Sequence, residues 1–89
     1  GRAYWVLRPA AVALAPNDRL AASLLYRLLV DGVLNRGAAR YYHYAIEDLR
    51  AATLIAESIT DWESFEPHEV YFDRLQQDHK RKWSFWKQW

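Results

Sequence analysis

The chain has 89 residues, of which 52% are hydrophobic and 26% are charged, so it is long enough for one buried core and too short for two. It has no cysteine, which excludes a disulfide scaffold, a cysteine-ligated zinc site, an iron–sulfur cluster and thiol catalysis. Its formal net charge of +1 gives no overall field that would draw the molecule to nucleic acid or anionic lipid.

The first predicted element lies in residues 3–15, which are apolar at nearly every position. This segment contains Pro9, which has no N–H and is tolerated in the first turn of a helix but not in its interior. A helix here therefore begins near Pro9 or kinks at it, and we expect a short helix over about residues 9–15. Residues 16–18, Pro-Asn-Asp, then end it.

A second helix is predicted over residues 19–34, because apolar residues recur there at intervals of three and four. Asn17 or Asp18 suits its N-cap, since a short side chain with an oxygen can accept a hydrogen bond from the free amides of the first turn. Gly37 suits its end because glycine readily adopts the left-handed conformation. The apolar stripe consists of Leu20, Ala21, Leu24, Leu25, Leu28, Leu29 and Val33. The residues predicted to face solvent on the opposite side are Ser23, Arg27 and Asp31.

The third helix is predicted over residues 38–59, which carry the most continuous apolar stripe of the chain. The link at residues 35–37 is short, so this helix must return antiparallel along the second one. Glu47 and Arg50 are three residues apart and are predicted to pair on its surface, for ~0.2–0.5 kcal/mol. These two helices form the centre of the predicted fold, either of an ordinary small bundle or of a helical-repeat-like hairpin that the last helix caps.

The last part of the chain is predicted as a connector followed by one helix. Residues 60–65 have no helical period, and their Trp62 and Phe65 are expected to reach into the core. The helix starts at about Pro67, which suits a first helical position, and continues to the end of the chain. Its apolar stripe consists of Tyr71, Phe72, Leu75, His79 and Trp83 or Trp86. No strand-like alternation occurs, so the predicted class is all-α, with three main helices plus a short N-terminal one in a single domain of residues 1–89.

The sequence contains no arrangement of residues typical of a catalytic or metal centre. His43 and Glu47 have the spacing of two metal ligands on one helix face, but no second pair of this kind supplies the remaining ligands. His68 and His79 would lie ~16 Å apart along an ideal helix, too far to share a metal. No serine stands in a Gly-x-Ser-x-Gly turn, and the three glycines are isolated rather than grouped in a phosphate-binding loop. We therefore predict that this chain is not an enzyme and holds no catalytic residue, metal ligand or cofactor-binding residue.

Cations and aromatic side chains alternate at the C-terminus. The candidate binding residues there are Lys80, Arg81, Lys82, Trp83, Trp86 and Lys87. Such a mixture can hold a phosphate backbone while bases stack on the rings. In the alternative, structural interpretation, the cations lie at the negative end of the last helix, and Trp83 and Trp86 continue its apolar stripe into the core. We favour the structural interpretation because the aromatic residues keep helical spacing from Phe72 onward.

Several stretches of the chain resemble the C-terminal region of an uncharacterised bacterial family that is often associated with SWIM-type zinc-finger proteins. These stretches are residues 20–27, 42–45, 61–62, 67–71 and 79–86. The family's closing motif is His-Gly-Arg-Lys-x-x-Phe-Trp, and Lys80 stands here in place of its glycine, which favours an unbroken last helix. The resemblance covers about residues 20–86 and implies an all-helical module with no assigned activity. A SWIM finger needs cysteine ligands, so in this resemblance the finger lies elsewhere in the parent protein.

The predicted function is that of a non-catalytic helical binding or scaffold module of a larger protein, with nucleic-acid binding through the C-terminal residues as the alternative. The chain starts with glycine and has no methionine, so we expect it to be a C-terminal piece of a longer protein. Trp5, Val6 and Leu7 are expected to pack against the upstream part of that protein, another protein or a second copy of the chain. Neither a signal peptide nor an apolar run of ~18 residues is present, so we expect a cytoplasmic location and no membrane contact.

Overall fold

The computed structural model describes residues 2–89, with side chains from Trp5 onward, and this part of the chain is built from helices without a β-strand. The α-helices are α1 (Arg2–Leu14), α2 (Arg19–Asn35), α3 (Tyr42–Ala56), α4 (His68–Asp78) and α5 (Trp83–Trp86), with a 3₁₀ turn at Ala39–Tyr41. The all-α class predicted from the sequence is therefore confirmed. None of these helices combines the length and the apolarity needed to cross a lipid bilayer.

Local sequence signals set both ends of α2 as predicted. Asp18 is the N-cap, and its Oδ1 accepts a hydrogen bond from the amide of Ala21 at 3.1 Å. At the other end Gly37 has a φ of +62°, the left-handed conformation. The amide of Ala38 donates to the carbonyl of Val33, and that of Gly37 to Leu34, which is the hydrogen-bond pattern of a glycine-terminated helix.

The core lies where α3 packs along α2, and the other helices cover its remaining sides. Val33, Leu49 and Ala52 are buried there, as the two apolar stripes predict, and so is Leu34, which the stripe of α2 does not include. Tyr71 and Leu75 of α4 and Phe85 of α5 complete the core.

Helix α3 is shorter than predicted, because a 3₁₀ turn at Ala39–Tyr41 replaces its first residues and the helix ends at Ala56.

Helix α1 is longer than predicted and runs through Pro9 instead of starting at it. Leu7 and Ala11 pack against the core on its inner face, so the burial of apolar side chains on both sides of Pro9 outweighs the backbone hydrogen bond that the proline cannot make.

The predicted solvent side of α2 is wrong. Ser23 and Arg27 are buried, Asp31 is half-buried, and Leu28 of the apolar stripe is exposed instead. The reason is that α2 is covered on two sides. The connector places Trp62 over the Arg27 guanidinium, and α4 places Tyr71 there, so the polar side chains of α2 lie under other elements.

The C-terminal helix is broken, contrary to the prediction of an unbroken one. Helix α4 ends at Asp78, and a turn at residues 79–82 leads into the short α5. This turn brings Phe85 into the core, where its ring meets Tyr42 edge-on at 5.5 Å between centroids. Trp83, which had been predicted to share the core with Trp86, is 79% exposed.

Two further predictions about single side chains are wrong. Phe65 is exposed, and Trp62 is half-buried over the Arg27 guanidinium instead of packing in the hydrophobic core. Glu47 and Arg50 do not pair with each other. Glu47 binds Arg8 of α1, and Arg50 donates to the carbonyls of the last two residues, because the packing of α1 and of the C-terminus on α3 offers closer partners.

Candidate functional site

The six C-terminal residues predicted as a binding surface fall into two groups. Trp86 is structural: it packs on Phe72 and Phe85, with ring centroids 5.9 and 4.9 Å away, and its Nε1 donates to the carbonyl of His79 at 2.9 Å. The other five lie in or next to the turn and α5, where Lys82 is half-buried and the rest are exposed: Lys80, Arg81, Lys82, Trp83 and Lys87. The turn therefore brings three cations next to one exposed indole, while Trp86 packs into the domain and lines a small surface cavity together with Lys80.

A second candidate surface is the outer face of α1. Trp5, Val6 and Val12 are 56%, 67% and 60% exposed, whereas Leu7 and Ala11 on the inner face pack against the core. Helix α1 is thus apolar on both faces: the inner face packs against the core, and on the outer face the Trp5 ring meets the Tyr44 ring edge-on at 5.9 Å between centroids while Val6 and Val12 are exposed.

A groove of about 520 Å³ lies beside this face, between α1 and α3. Trp5, Pro9 and Val12 form one wall, and Tyr26 of α2 takes part in the lining. Burial raises the pKa of Tyr26, and the charge of Asp48 adds to this effect, so its hydroxyl stays protonated in the groove.

Ion pairs fix the rim of the groove. Arg8 donates through Nε to Oδ1 of the buried Asp48 at 3.0 Å and through Nη2 to the exposed Glu47. The Arg8 guanidinium also lies 5.3 Å from the centre of the Tyr44 ring. Since Arg8 joins α1 to α3 in this way, the shape of the groove is held by charge as well as by packing.

A third site, which the sequence did not indicate, surrounds Arg27 in the middle of α2. This side chain is only 6% exposed, and its guanidinium carbon lies 5.1 Å from the centre of the Trp62 ring and 4.7 Å from that of Tyr71. Its Nε and Nη2 are buried and make no hydrogen bond within the described residues. Burial lowers the pKa of Arg27, while the nearby Glu66 opposes this shift. Arg27 therefore carries two hydrogen-bond donors that the described part of the chain does not use.

Two polar contacts frame Arg27. The hydroxyl of Tyr71 donates to Oδ1 of Asp31 at 2.9 Å, and burial raises the pKa of both groups. Arg74 of α4 pairs with Glu66 of the connector, and this hydrogen bond raises the pKa of Arg74. Helix α4 and the connector are thereby joined to each other and to α2 on the side where Arg27 is buried.

His68 lies nearby and is held in its neutral form. Thr53 uses its hydroxyl hydrogen to donate to the carbonyl of Leu49 at 2.8 Å, so its oxygen accepts from Nε2 of His68 at 2.9 Å. The proton is thus assigned to Nε2, and the buried Nδ1 makes no hydrogen bond within the described residues. Burial, and next the charge of Arg27, lower the pKa of His68.

A cavity of about 350 Å³ opens beside Arg27. Leu24, Leu28 and Phe65 supply its apolar walls, and the polar part of the lining consists of Arg27, Asp31, Glu66, Tyr71 and Arg74. The cavity thus combines apolar walls with charged side chains of both signs, and the two unused donors of Arg27 are buried away from solvent.

The sequence contains two spacing patterns that belong to this site, but neither predicts it. Arg27 and Asp31 are four residues apart on α2, and Tyr71 and Arg74 are three apart on α4, so each pair shares a helix face. Nothing in either pattern shows that the two faces meet, because that depends on the path of the connector.

His43, which with Glu47 has the spacing of two metal ligands on one helix face, is exposed. His43 stacks against the adjacent Tyr44, with ring centroids 4.0 Å apart, while Glu47 is occupied by Arg8. Among the residues whose positions are described, no three histidine, aspartate or glutamate side chains are grouped so that they could hold a metal ion.

A comparison with protein families gives a match that includes every helix described above. The family model is that of a family of unknown function, DUF6880, and it matches residues 1–88. No curated protein and no solved structure shows significant similarity to the chain. The functional argument therefore depends on the surfaces and cavities of the molecule itself.

Proposed function

The chain belongs to the DUF6880 family, a family of unknown function, and we propose that it is a non-catalytic helical module that binds an apolar segment of another protein. The binding surface is the outer face of α1 together with the groove beside it. The partner is the upstream part of the parent protein or a separate protein.

The observation that carries this proposal is that α1 is apolar on its outer face as well as on its inner one, with Arg8 paired to α3 at the side. A helix of this kind is normally buried on every side, because a helix at a protein surface keeps a polar face toward water. In α1 the inner face packs on the domain, and the outer face presents Val6, Val12 and the part of Trp5 that its contact with Tyr44 leaves exposed. Tryptophan is among the residues that most often contribute large shares of binding energy at protein interfaces.

The groove specifies what kind of segment fits. Its walls are mainly apolar, and its rim carries the Glu47 carboxylate, whose side chain is 61% exposed although it pairs with Arg8. The occupant that matches this chemistry is an amphipathic helix that inserts one large apolar side chain into the groove and places a lysine or arginine near Glu47.

A second candidate function, nucleic-acid binding, is supported by one specific observation. Trp83 is 79% exposed and directly follows the three cations of residues 80–82, so a base could stack on its indole while the cations contact phosphates. Of the two tryptophans predicted to stack on bases, Trp83 is exposed, whereas Trp86 packs on Phe72 and Phe85.

The link to SWIM-type zinc-finger proteins remains a proposal that depends on the motifs quoted above. In that proposal the helical module serves a protein whose zinc finger lies outside these residues. The full sequence of the parent protein tests it directly, since a SWIM finger has a cysteine and histidine pattern that can be read from sequence.

The experiment for the main proposal is photo-crosslinking from α1 in the cell that makes the protein. A photoreactive amino acid replaces Val12 in the full-length protein, and the matched control carries it at Val70, an exposed valine of α4 that lines neither cavity. We expect Val12 alone to cross-link to an apolar segment of a protein, and Val6→Lys to abolish the product. Equal cross-linking from both positions, or products that contain only second copies of the chain, would contradict the proposal.

A further inference from the structure

We propose that α4 is an acid-responsive element of the fold: protonation of His68 and His79, which stand at its two ends, releases this helix and the connector from α2 and α3 while the α2–α3 pair stays folded. The evidence is the surroundings of the two imidazole rings and the small number of other buried side chains in α4. The device involves no residue of α1, so it does not depend on the protein-binding surface proposed above.

The two histidines bracket α4. His68 is the first residue of the helix, and His79 follows its last residue, Asp78. His68 is 8% exposed and His79 is half-buried, and in both rings Nδ1 is buried without a hydrogen-bond partner in the described part of the chain. An imidazolium carries a hydrogen on both ring nitrogens. A proton added to either ring would therefore place an N–H where the described residues supply no acceptor, which is costly in a buried place.

The charges around His68 also oppose its protonation. The ring lies at the N-terminus of α4, where the helix dipole is positive, and the positive charge of Arg27 on α2 acts on it as well. Its neighbour on α3 is the uncharged Thr53, whose hydroxyl oxygen accepts from Nε2 at 2.9 Å. Glu69, the next residue of α4, favours protonation, but burial and then Arg27 outweigh it, so the pKa of His68 is lowered.

His79 faces charges of both signs. Burial lowers its pKa, and the charge of Lys82 in the following turn acts in the same direction, whereas Asp78 and Asp31 of α2 act against it. Burial raises the pKa of Asp31, so protonation of Asp31 in acid removes a buried charge and stabilises the closed fold. Asp31 thus opposes the release that the two histidines promote, and the test must separate their contributions.

Helix α4 has few buried side chains to hold it apart from His68. Of its 11 residues three are buried, and the other two are Tyr71 and Leu75. By comparison, eight residues of α2 and six of α3 are buried. Segments with few buried apolar contacts open at a lower free energy than the rest of a domain. Acid therefore places a charge on one of the few side chains that anchor an element already easier to open than the α2–α3 pair.

Proton linkage gives the size of the effect. In the open state both rings are in water and take up a proton near the ordinary histidine pKa of 6.5, whereas in the closed state they do so only at lower pH. Between these two limits, each histidine makes opening more favourable by up to about tenfold for every pH unit of acidification. Above pH 6.5 the histidines leave the opening unchanged.

The experiment is amide hydrogen exchange followed by NMR from about pH 7.5 to 5, corrected for the intrinsic exchange rate and repeated at low urea concentrations. We expect the amides of residues 72–78 in α4 to exchange through an opening that is easier than global unfolding and depends weakly on urea. Its equilibrium constant should rise as the pH falls through 6.5. The amides of residues 23–34 in α2 are the internal comparison and should exchange only through global unfolding, with a steep urea dependence.

Histidine variants separate the release of α4 from a general loss of stability. In His68→Gln, where glutamine can still donate to Thr53, the acid-induced opening should fall to the part contributed by His79. The double variant with His79→Gln should lose it, and His43→Gln, which changes an exposed histidine, should behave as the wild type. If His68→Gln does not fold, the wild-type exchange data and His79→Gln still decide.

Three results would overturn the proposal. The first is equal protection and equal urea dependence of the α4 and α2 amides at every pH, which would show that α4 opens only with the whole domain. The second is an opening of α4 that acid does not promote. The third is an unchanged pH dependence in the double variant, which would assign the effect to groups other than the two histidines.

Discussion

The hydroxyl of Tyr71 on α4 donates a hydrogen bond to Oδ1 of Asp31 on α2 at 2.9 Å, and it joins two helices whose residues are 40 positions apart. Burial raises the pKa of Tyr71, and the negative charge of Asp31 adds to this effect. Burial likewise raises the pKa of Asp31, and the hydrogen bond from Tyr71 opposes that shift because it stabilises the carboxylate. This contact ties α4 to the polar side of α2.

Tyr71→Phe tests the strength of this contact. The substitution keeps the ring against Arg27 but removes the only hydroxyl that donates to Asp31 among the described residues, so we expect a loss of ~1–3 kcal/mol in the free energy of unfolding. Urea unfolding measures the loss. In a double-mutant cycle with Asp31→Ala, the two effects should be clearly non-additive; additive effects would show that the hydrogen bond contributes nothing.

The lowered pKa of His68 predicts that stability falls in mild acid. The folded protein favours neutral His68, so below the ordinary histidine pKa of 6.5 the unfolded chain binds the proton first and is stabilised relative to the folded state. The free energy of unfolding should therefore decrease as the pH falls through 6.5, and level off below the folded-state pKa.

His68→Gln isolates this effect because glutamine can still donate to Thr53. Its stability should depend less on pH in this range than that of the wild type. Burial also lowers the pKa of His79, so His79 contributes to the pH dependence in the same direction. His79→Gln is therefore made beside His68→Gln, so that the contributions of the two histidines can be compared. If the pH profile of His68→Gln runs parallel to that of the wild type, His68 is not buried in its neutral form.

The two C-terminal tryptophans are expected to respond differently to truncation. Trp83→Ala should change stability by no more than about 0.5 kcal/mol, because Trp83 is 79% exposed. Trp86→Ala should cost about 2 kcal/mol or more, since it removes the packing on Phe72 and the hydrogen bond to His79. Thermal unfolding of both variants measures the difference.

The same pair of variants tests the second candidate function. If the turn binds single-stranded nucleic acid, Trp83→Ala should weaken binding by ~1–3 kcal/mol while the melting temperature holds. Lys80→Ala combined with Lys82→Ala should flatten the salt dependence of binding by roughly 1.4 in log–log slope. Oligonucleotide binding that does not change in any of these variants would remove the turn as the contact surface.

Two glycine substitutions provide a matched pair for the end of α2. Gly37→Ala should destabilise the protein by ~1–2 kcal/mol, because a side chain at a φ of +62° clashes with its own backbone although no other atom lies within 4 Å. Gly32→Ala, in the interior of α2 and equally free of neighbours, should stabilise it by ~0.5–1 kcal/mol, as alanine restricts the unfolded chain. Equal effects at both sites would contradict the assigned conformation of Gly37.

The sequence by itself determined the all-α class and the limits of α2. Both follow from interactions within a few residues: Asp18 accepts from an amide three positions away, and Gly37 closes the helix through its own backbone conformation. The apolar stripes of α2 and α3 likewise identified Val33 and Leu49 as core, because a helix with a 3.6-residue period buries its apolar side.

Only the tertiary structure decided what covers the opposite side of α2 and where the last helix breaks. Arg27 is buried because the connector and α4 place Trp62 and Tyr71 over it, and the periodicity of α2 carries no information about segments 35 to 44 residues further on. The break after Asp78 exchanges a regular stripe containing Trp83 for a turn that buries Phe85. Burial of one aromatic side chain stabilises the fold by about 1.5–3 kcal/mol, which offsets the loss of one or two helical hydrogen bonds, and that gain exists only once the other helices are in place.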